Sequence, residues 1–432
     1  MDLFIQIMEE EEESTSFIVL SDTHLGLRAG KRLYFFYNYV DHRPTHVEQF
    51  VKWLEKLQNE SEIELPFLIE ESDKGEPRKI GRKKLLFPDK LVLNGDIFEL
   101  WDTSDQSIQF ASYSILSSIS RLGCEKFYTI GNHDFANAEL AIEEEREGKA
   151  FSNVYPWGLS NLNILRDTYP LPKDGVMRTL KVGEDHYLIV HGHQFNRSFR
   201  LAPWKIISTL RDGAEAFRLY SWVLLGLWII WIAALPFISY LGPNISPSIQ
   251  YGIGLPLTFL AVPRLFVSIA RPIWNKLFGS RYDRNKAPRG FVEWWKIFTK
   301  KYKLKTSKIH VIYGHTHAID IVEKAELEIM AKKNFGNMEL TLINHPAWVK
   351  DKREVELREA FVYVDKFGFE FFGWSWDELS PFHIPKSVVR TYASGEQIDD
   401  ETAEMLNELH WPKKLVEALK QSGSKNPKRV DI

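Results

Sequence analysis

Along the chain, the stretches that matter most are short runs that are almost wholly apolar. Phe17-Ile18-Val19-Leu20, Leu91-Val92-Leu93, Phe127-Tyr128-Thr129-Ile130 and Ile309 to Ile312 are of this kind. Such runs, partly β-branched, predict strands buried on both faces. Met177 to Val182 and His186 to Val190, joined by Gly183-Glu184-Asp185, predict a hairpin. Between strands the spacing turns helical. Thr45-x-x-Glu48 is a capping box, and Val47, Phe50, Leu54 and Leu57 follow on one face. Ile108 to Leu122 and Glu139 to Glu147 predict further helices, and Glu70 to Lys84 a charged surface loop. Leu342-Ile343-Asn344, Ala360 to Tyr363 and Gly368 to Phe372 predict closing strands. Beyond about Pro381 a single amphipathic helix is expected, from Asp400 to Lys420.

Each buried run ends in side chains that bind metals. The ends read Ser21-Asp22-Thr23-His24, Asn94-Gly95-Asp96, Gly131-Asn132-His133-Asp134, His191-Gly192-His193 and Tyr313-Gly314-His315-Thr316-His317. Residues two apart on an extended backbone share a face. Asp22 should therefore converge with His24, and His315 with His317, while Thr316 points away. In open α/β sheets the C-terminal edge of the strands is where sites are built.

Composition narrows this reading. The 432 residues are 44% apolar and 26% charged, enough for one large domain with insertions or for two domains. A net charge of −3 gives no sign of a general nucleic-acid binder. Cys124 is the only cysteine, so no disulfide forms within the chain, which fits a reducing compartment. The N-terminus lacks the basic and apolar regions of a signal peptide, and Glu9 to Glu13 is expected to be a solvated tail. Imidazole, carboxylate and amide donors without thiolates suit borderline divalent cations and argue against a structural zinc.

The five motifs together resemble those of the calcineurin-like metallophosphoesterases. That resemblance covers about Phe17 to Trp374 and implies an α/β fold: a four-layer α/β/β/α sandwich around a two-metal centre. Carried over residue by residue, it implies that Asp22, His24 and His317 hold one metal, that Asn132, His191 and His315 hold the other, and that Asp96 bridges them. It implies two divalent ions, manganese in first place, with iron or zinc as alternatives. A hydroxide bridging the metals would attack phosphorus in line. His133 would protonate the leaving group. Glu99 would orient His133, or would be a surface acid. His193 would support His191, or would be an unrelated polar residue. Within the family the chain is most similar to the UDP-2,3-diacylglucosamine pyrophosphatases, through Gly95-Asp96-Ile97-Phe98-Glu99-Leu100-Trp101 and the His-Gly turn at His191. It departs from them at His133, His193 and in a more apolar middle segment.

That middle segment has no charged residue from Leu219 to Pro263. Leu219 to Leu241 is long enough to cross a hydrocarbon core, and Ile249 to Ala270 is a second, weaker span. Basic residues flank both ends, among them Arg197, Lys205, Arg211, Lys286 and Arg289, while Gly242 to Ser248 has none. The positive-inside rule then predicts a hairpin with both ends cytoplasmic, and Trp204, Trp222, Trp274, Trp294 and Trp295 as an interfacial belt. A cap dipping into one leaflet and a soluble lid are the alternatives. The expected organisation is an acidic tail over 1–16, the catalytic domain over 17–200 and 291–375, the hydrophobic insertion over 201–290 and a helical tail over 376–432.

The function this predicts is a membrane-associated phosphoesterase or pyrophosphatase. It would work on the cytoplasmic face of a membrane, with membrane lipids and a phosphorylated, lipid-linked substrate as partners and no nucleic acid. The alternatives are an anchored phosphoesterase of soluble substrates, such as phosphoproteins or nucleotides, and a non-catalytic scaffold on the same fold.

Overall fold

A computed structural model describes residues 12–25, 40–41, 44–69, 78–98, 115–134, 162–165, 167–195, 226–235, 237, 240, 286–332, 334–348, 350–351, 357–375 and 377–421. Two seven-stranded sheets dominate. In the first, β2 (Ser16–Leu20) lies between β6 (Lys90–Asn94) and β16 (Ala360–Asp365). Beyond β6 come β7 (Glu125–Thr129) and β8 (Leu162–Leu165), all parallel. Beyond β16 come β17 (Gly368–Ser375) and β18 (Ser380–Ile384), antiparallel. The second sheet runs β1 (Glu12–Glu13), β10 (Leu180–Val182), β11 (Asp185–Val190), β12 (Lys308–Tyr313), β14 (Glu339–Asn344) and β13 (Asp320–Glu323). Strand β9 (Thr168–Tyr169) also pairs with β11. Two small pairs complete the strands: β3 (Val40–Asp41) with β15 (Lys350–Asp351), and β4 (Glu62–Ile69) with β5 (Lys79–Leu86).

Alternation along the strands sorts the core into layers. Phe17 and Val19 face Tyr187, Ile189, Ile312 and Ile343 of the second sheet, making the dry interface between the sheets. Ile18 and Leu20 point the other way, under α1 (Pro44–Glu60), with Phe50, Trp53 and Leu57. On the far face, Leu188, Val190, Ile309 and Val311 meet α2 (Lys286–Lys301) and Leu327 of α3 (Lys324–Ala331). Helix, sheet, sheet and helix are thus four layers.

Several sequence expectations need correction. Glu12 and Glu13 are not a frayed tail; they pair in parallel with Leu180 and Lys181. The predicted loop Glu70 to Lys84 holds most of β5, a strand that its charge disguises because one face stays exposed. The single C-terminal helix is instead β18 followed by α4 (Lys386–Ser394), α5 (Asp400–Glu408) and α6 (Lys413–Gln421). His410, at φ 60°, and the following Pro412 break the helical run, because neither geometry continues a helix. Trp294 and Trp295 do not form an interfacial belt: both are on α2, Trp295 buried in the core between that helix and the second sheet and Trp294 packed against it.

By contacts the chain divides into one unit of 1–196 with 282–431 and another over 197–281. Of the second, residues 226–235 are helical. The rest of Leu219 to Leu241, apart from Phe237 and Tyr240, all of Ile249 to Ala270, and Trp204, Trp222 and Trp274 lie outside the described residues, as does the Glu139 to Glu147 helix. Of Ile108 to Leu122, residues 115–121 are helical. Among the described residues no helix is long and apolar enough to cross a membrane.

Candidate metal centre

The strand-end turns lie side by side because the ladders continue past the strands. Asp22 N donates to Gly95 O at 3.0 Å and His24 N to Asp96 O at 2.9 Å; in the second sheet Gly314 N donates to His191 O at 2.9 Å. The turns themselves are not extended. Asp22, His24, Asp96, His315 and His317 all have left-handed backbones, with φ of 51°, 43°, 49°, 68° and 58°. Each such residue costs about 1–3 kcal/mol and persists only where its surroundings impose it. His315 and His317 therefore share a pocket through a tight turn after β12, not through strand pleating. Thr316 points away as expected and is hydrogen-bonded to Asn344.

Glycines let the turns close on each other. A Cβ on Gly131 would lie 2.2 Å from Asp96 Oδ1, and one on Gly314 would lie 2.2 Å from Ser21 Oγ and 2.4 Å from Asp22 Oδ2.

The structure forms three overlapping groups: two of expected donors, Asp22, His24 and His317, and Asp96, His191 and His315; and a third that brings His133, expected as the acid and not as a ligand, together with His24 and Asp96. Within each, the donor atoms lie within 4.8 Å of one another. Asn132 joins the second group, its Oδ1 3.3 Å from His191 Nε2. His24 Nε2 and His317 Nε2 are 3.3 Å apart, and His317 Nε2 is 3.3 Å from Asp22 Oδ1. His133 is half-buried, its amide donating to Asp96 Oδ1 at 2.7 Å and its ring edge-on to His24 at 4.8 Å. Glu99 lies outside the described residues.

Electrostatics distinguish the imidazoles. Burial disfavours charge on His191, but the carboxylates of Asp96 and Asp22 outweigh it and lift its pKa to about 9. Its Nδ1 lies 3.0 Å from the Asn94 carbonyl, to which it donates. Its Nε2 faces two acceptor oxygens, Asn132 Oδ1 and Asp96 Oδ2, the latter at 3.2 Å. Three electron-rich atoms meeting there favour positive charge, as a proton or a cation. Burial and the His191 charge lower His315 to about 3, which keeps its ring neutral, the form that coordinates a metal. Burial, then the charges of His24 and Arg358, hold His317 below the ordinary imidazole value, against the pull of Asp22. The donor set and the crowding of lone pairs fit divalent cations.

Several supporting residues lay unassigned in the sequence motifs. Asp134 accepts from the amides of Ile97, Phe98 and Gly131, clamping the second motif to the third. Burial and the nearby Asp96 charge raise its pKa to about 7. Asn94 uses its amide to donate to Val190 O and to accept from Thr129 Oγ1, while its carbonyl receives His191. Ser21 Oγ lies 2.5 Å from Asp22 Oδ2 and 2.6 Å from Asn94 O. His193, which the sequence offered as a support for His191 or as an unrelated polar residue, is buried beside His191 and His315, with ring centroids at 5.5 and 6.4 Å, and burial holds it neutral.

Two facing sheets bring Asp, Asn and His donors together at their strand ends, a donor set suited to divalent metal ions. The chain belongs to the calcineurin-like phosphoesterase family, whose model matches residues 15–336. Members of that family use divalent metal ions. No curated protein matches the chain. Among solved structures, a putative 5'-nucleotidase from Staphylococcus aureus, in complex with alpha-ketoglutarate, matches at 12% identity and a TM-score of 0.26, covering 92% of this chain. The chain spans 58% of that protein's length, and a likeness so low carries no structural argument.

Proposed function

We propose that the protein is a membrane-associated dimetal phosphoesterase or pyrophosphatase whose substrate is a lipid-linked phosphate. The convergence of seven donors from five strand ends supports the dimetal part. Asp22, His24 and His317 would hold one ion, Asn132, His191 and His315 the other, and Asp96 would lie between them, with manganese first among the candidate ions. Two divalent cations there would supply Lewis acidity, neutralising charge on the phosphoryl group and lowering the pKa of water. The chain's own residues orient and protonate. His133, tethered through its amide to Asp96, carries a ring at the half-buried edge of the site and is suited to give a proton to the departing oxygen. Glu99 is the proposed carboxylate that orients that ring.

The observation that carries the membrane part is the helix over 226–235. Its Leu227, Ile229, Ile230 and Ile232 are 47, 56, 66 and 46% exposed, and the nearby Phe237 and Tyr240 are 75 and 89% exposed. At 100° per residue these side chains surround the helix rather than marking one stripe. A helix apolar on all sides needs a surrounding of lipid or protein. The basic flanks, Arg197, Lys205 and Arg211 among them, suit anionic headgroups and, by the positive-inside rule, support a catalytic domain on the cytoplasmic face. The motif from Gly95 to Trp101 and the His-Gly turn support a nucleotide-lipid pyrophosphatase as the nearest chemistry.

The test compares kcat/KM on a short-chain and a long-chain phosphate, before and after replacing Leu219 to Ala270 by a short polar linker. The deletion should keep hydrolysis of the short ester and lose most activity on the long one. An unchanged ratio would leave the segment as a passive anchor and a soluble substrate as the answer.

A further inference from the structure

The metal donors come from two sheets, so the separation of the sheets at this edge decides how well the donors fit their ions. Asp22 and His24 follow β2 and Asp96 follows β6, in the first sheet; His191 follows β11, and His315 and His317 follow β12, in the second. Beside Asp96 and His191 the sheets are tied by Asn94, whose side-chain amide donates to Val190 O at 3.2 Å and whose carbonyl accepts from His191 Nδ1 at 3.0 Å. On the side of Asp22 and His317 a corresponding tie is made by His345, which supplies no metal donor. His345 follows β14 and is wholly buried. Its backbone amide donates to Tyr313 O, at the end of β12, at 2.6 Å. Its ring reaches the first sheet, where Nε2 lies 2.8 Å from Val19 O of β2. A carbonyl oxygen only accepts, so Nε2 carries the proton and the ring is the donor.

The residues on either side of His345 hold the same two turns. Asn344 exchanges side-chain hydrogen bonds of 2.9 and 2.6 Å with Thr316, which stands between His315 and His317. Trp348 N donates to Asp22 O at 3.2 Å. Asn344 to Trp348 is therefore a strap, fastened to the His315–His317 turn at one end and to the Asp22 turn at the other, with the His345 ring as a cross-sheet bond within it. The two turns also meet directly: His315 N donates to Asp22 Oδ2 at 3.1 Å, and His317 Nε2 lies 3.3 Å from Asp22 Oδ1. A buried donor has no water to turn to, so the His345 bond holds ring, strap and strand in one relative position.

We infer that His345 is a positioning residue for the metal centre: its bond to Val19 sets how closely the Asp22 turn approaches the His315–His317 turn, and so governs the ion held by Asp22, His24 and His317. This rests on the reading of those residues as metal ligands. The other ion, at Asn132, His191 and His315, depends chiefly on the tie made by Asn94. Loss of the His345 bond therefore separates the two ions in affinity. His345 itself touches neither the ions nor the reacting atoms.

The experiment titrates the full chain in detergent with manganese. It reads free manganese, the paramagnetic resonance spectrum of the bound pair and the thermal midpoint of the metal-free protein. His345→Leu removes the donor and keeps a buried apolar side chain. It should weaken one of the two ions about ten- to a hundredfold, the usual effect of losing a group that orients ligands from behind. The other ion should bind as in the wild type, and the spectrum of the pair should change. His345→Gln, whose amide nitrogen can take the place of Nε2, should restore both affinity and spectrum. In a His317→Ala background, which should keep only the other ion, His345→Leu should cause no further loss. Should His345→Leu not fold, His345→Asn, too short to reach Val19, takes its place with the same expected loss. Wild-type binding of both ions by the donor-less variant overturns the inference, and so does an equal weakening of both. Failure of His345→Gln to restore binding overturns it as well, since the ring would then matter only for its packing. A wild-type chain that binds no pair of manganese ions would overturn the reading of the site itself, a distinct result.

Discussion

Asp96 sits where the donor groups overlap, so its replacement separates this centre from an ordinary polar cluster. It belongs to two of the three groups, receives the His133 amide on Oδ1 and lies 3.2 Å from His191 through Oδ2. Asp96→Ala should abolish turnover and reduce bound metal at both positions, read by metal analysis after gel filtration. Full turnover would refute a bridged pair. His133 calls for a different measurement, because its amide rather than its ring contacts Asp96. His133→Ala should leave metal content intact and slow hydrolysis of alkyl phosphates by about 10²–10⁴, the usual worth of a general acid. The loss should shrink for an aryl phosphate whose leaving oxygen needs no proton. Gly314 is a third residue with a sharp expectation. A methyl group there meets Ser21 Oγ and Asp22 Oδ2, so Gly314→Ala should displace Asp22 and weaken metal binding, although no ligand is removed.

Among the elements, β17, β18 and the β4–β5 hairpin are joined by one buried histidine. Leu68 N of β4 donates to His383 Nδ1 at 3.2 Å, so the proton on the ring is at Nε2, which faces Glu370 Oε2 of β17 at 3.2 Å. Lys386, at the start of α4, lies 3.4 Å from the other carboxylate oxygen. Burial alone would raise the Glu370 pKa, but donation from His383 and the Lys386 charge hold it below the ordinary value. A carboxyl depressed in the folded state stabilises the protein above its unfolded pKa, near 4.5, and that contribution is lost as pH falls through the folded value. Thermal midpoints from pH 6 to 3 should therefore drop more steeply in the wild type than in Glu370→Gln. Parallel curves would remove Glu370 from the acid-sensitive groups. The same network explains why β5, charged along much of its length, is a strand: Lys83 pairs with Asp365 at 3.1 Å and lies over the Phe67 and Tyr363 rings.

For the whole molecule, the layout of the core predicts what can be removed. The three hydrophobic clusters draw on both sheets and on the helices outside them, and among the described residues none of their members comes from 197–281. Excising that segment should leave a folded catalytic unit whose midpoint stays within a few degrees of the full chain by circular dichroism. The excised protein should also stay soluble without detergent, since its loss takes with it the exposed apolar side chains of residues 226–235 and those of Phe237 and Tyr240. Collapse of the midpoint would mean that the segment completes the core.

Much of this could be read from the chain because the information is local. A solid apolar run followed within two or three residues by Asp, Asn or His predicts both a buried strand and a donor at its edge, and β2, β6, β7, β11 and β12 each carry that pattern. The two hydrophobic faces of these strands were enough to require layers on both sides. What the sequence could not give depends on partners far along the chain. The donors converge because left-handed turns at Asp22, Asp96 and His315 are held by neighbouring turns, and no pattern within a few residues demands that conformation of Asp or His. Asp134 is the last residue of a recognised motif, but its role exists only because Ile97 and Phe98 of another motif present their amides to it. Glu12 and Glu13 pair as a strand because Leu180 and Lys181 offer a sheet edge, and Trp295 is core rather than interface because α2 lies on the second sheet. Residue types at strand ends set the chemistry this protein can perform; hydrogen bonds and packing between distant turns decided which of those residues meet.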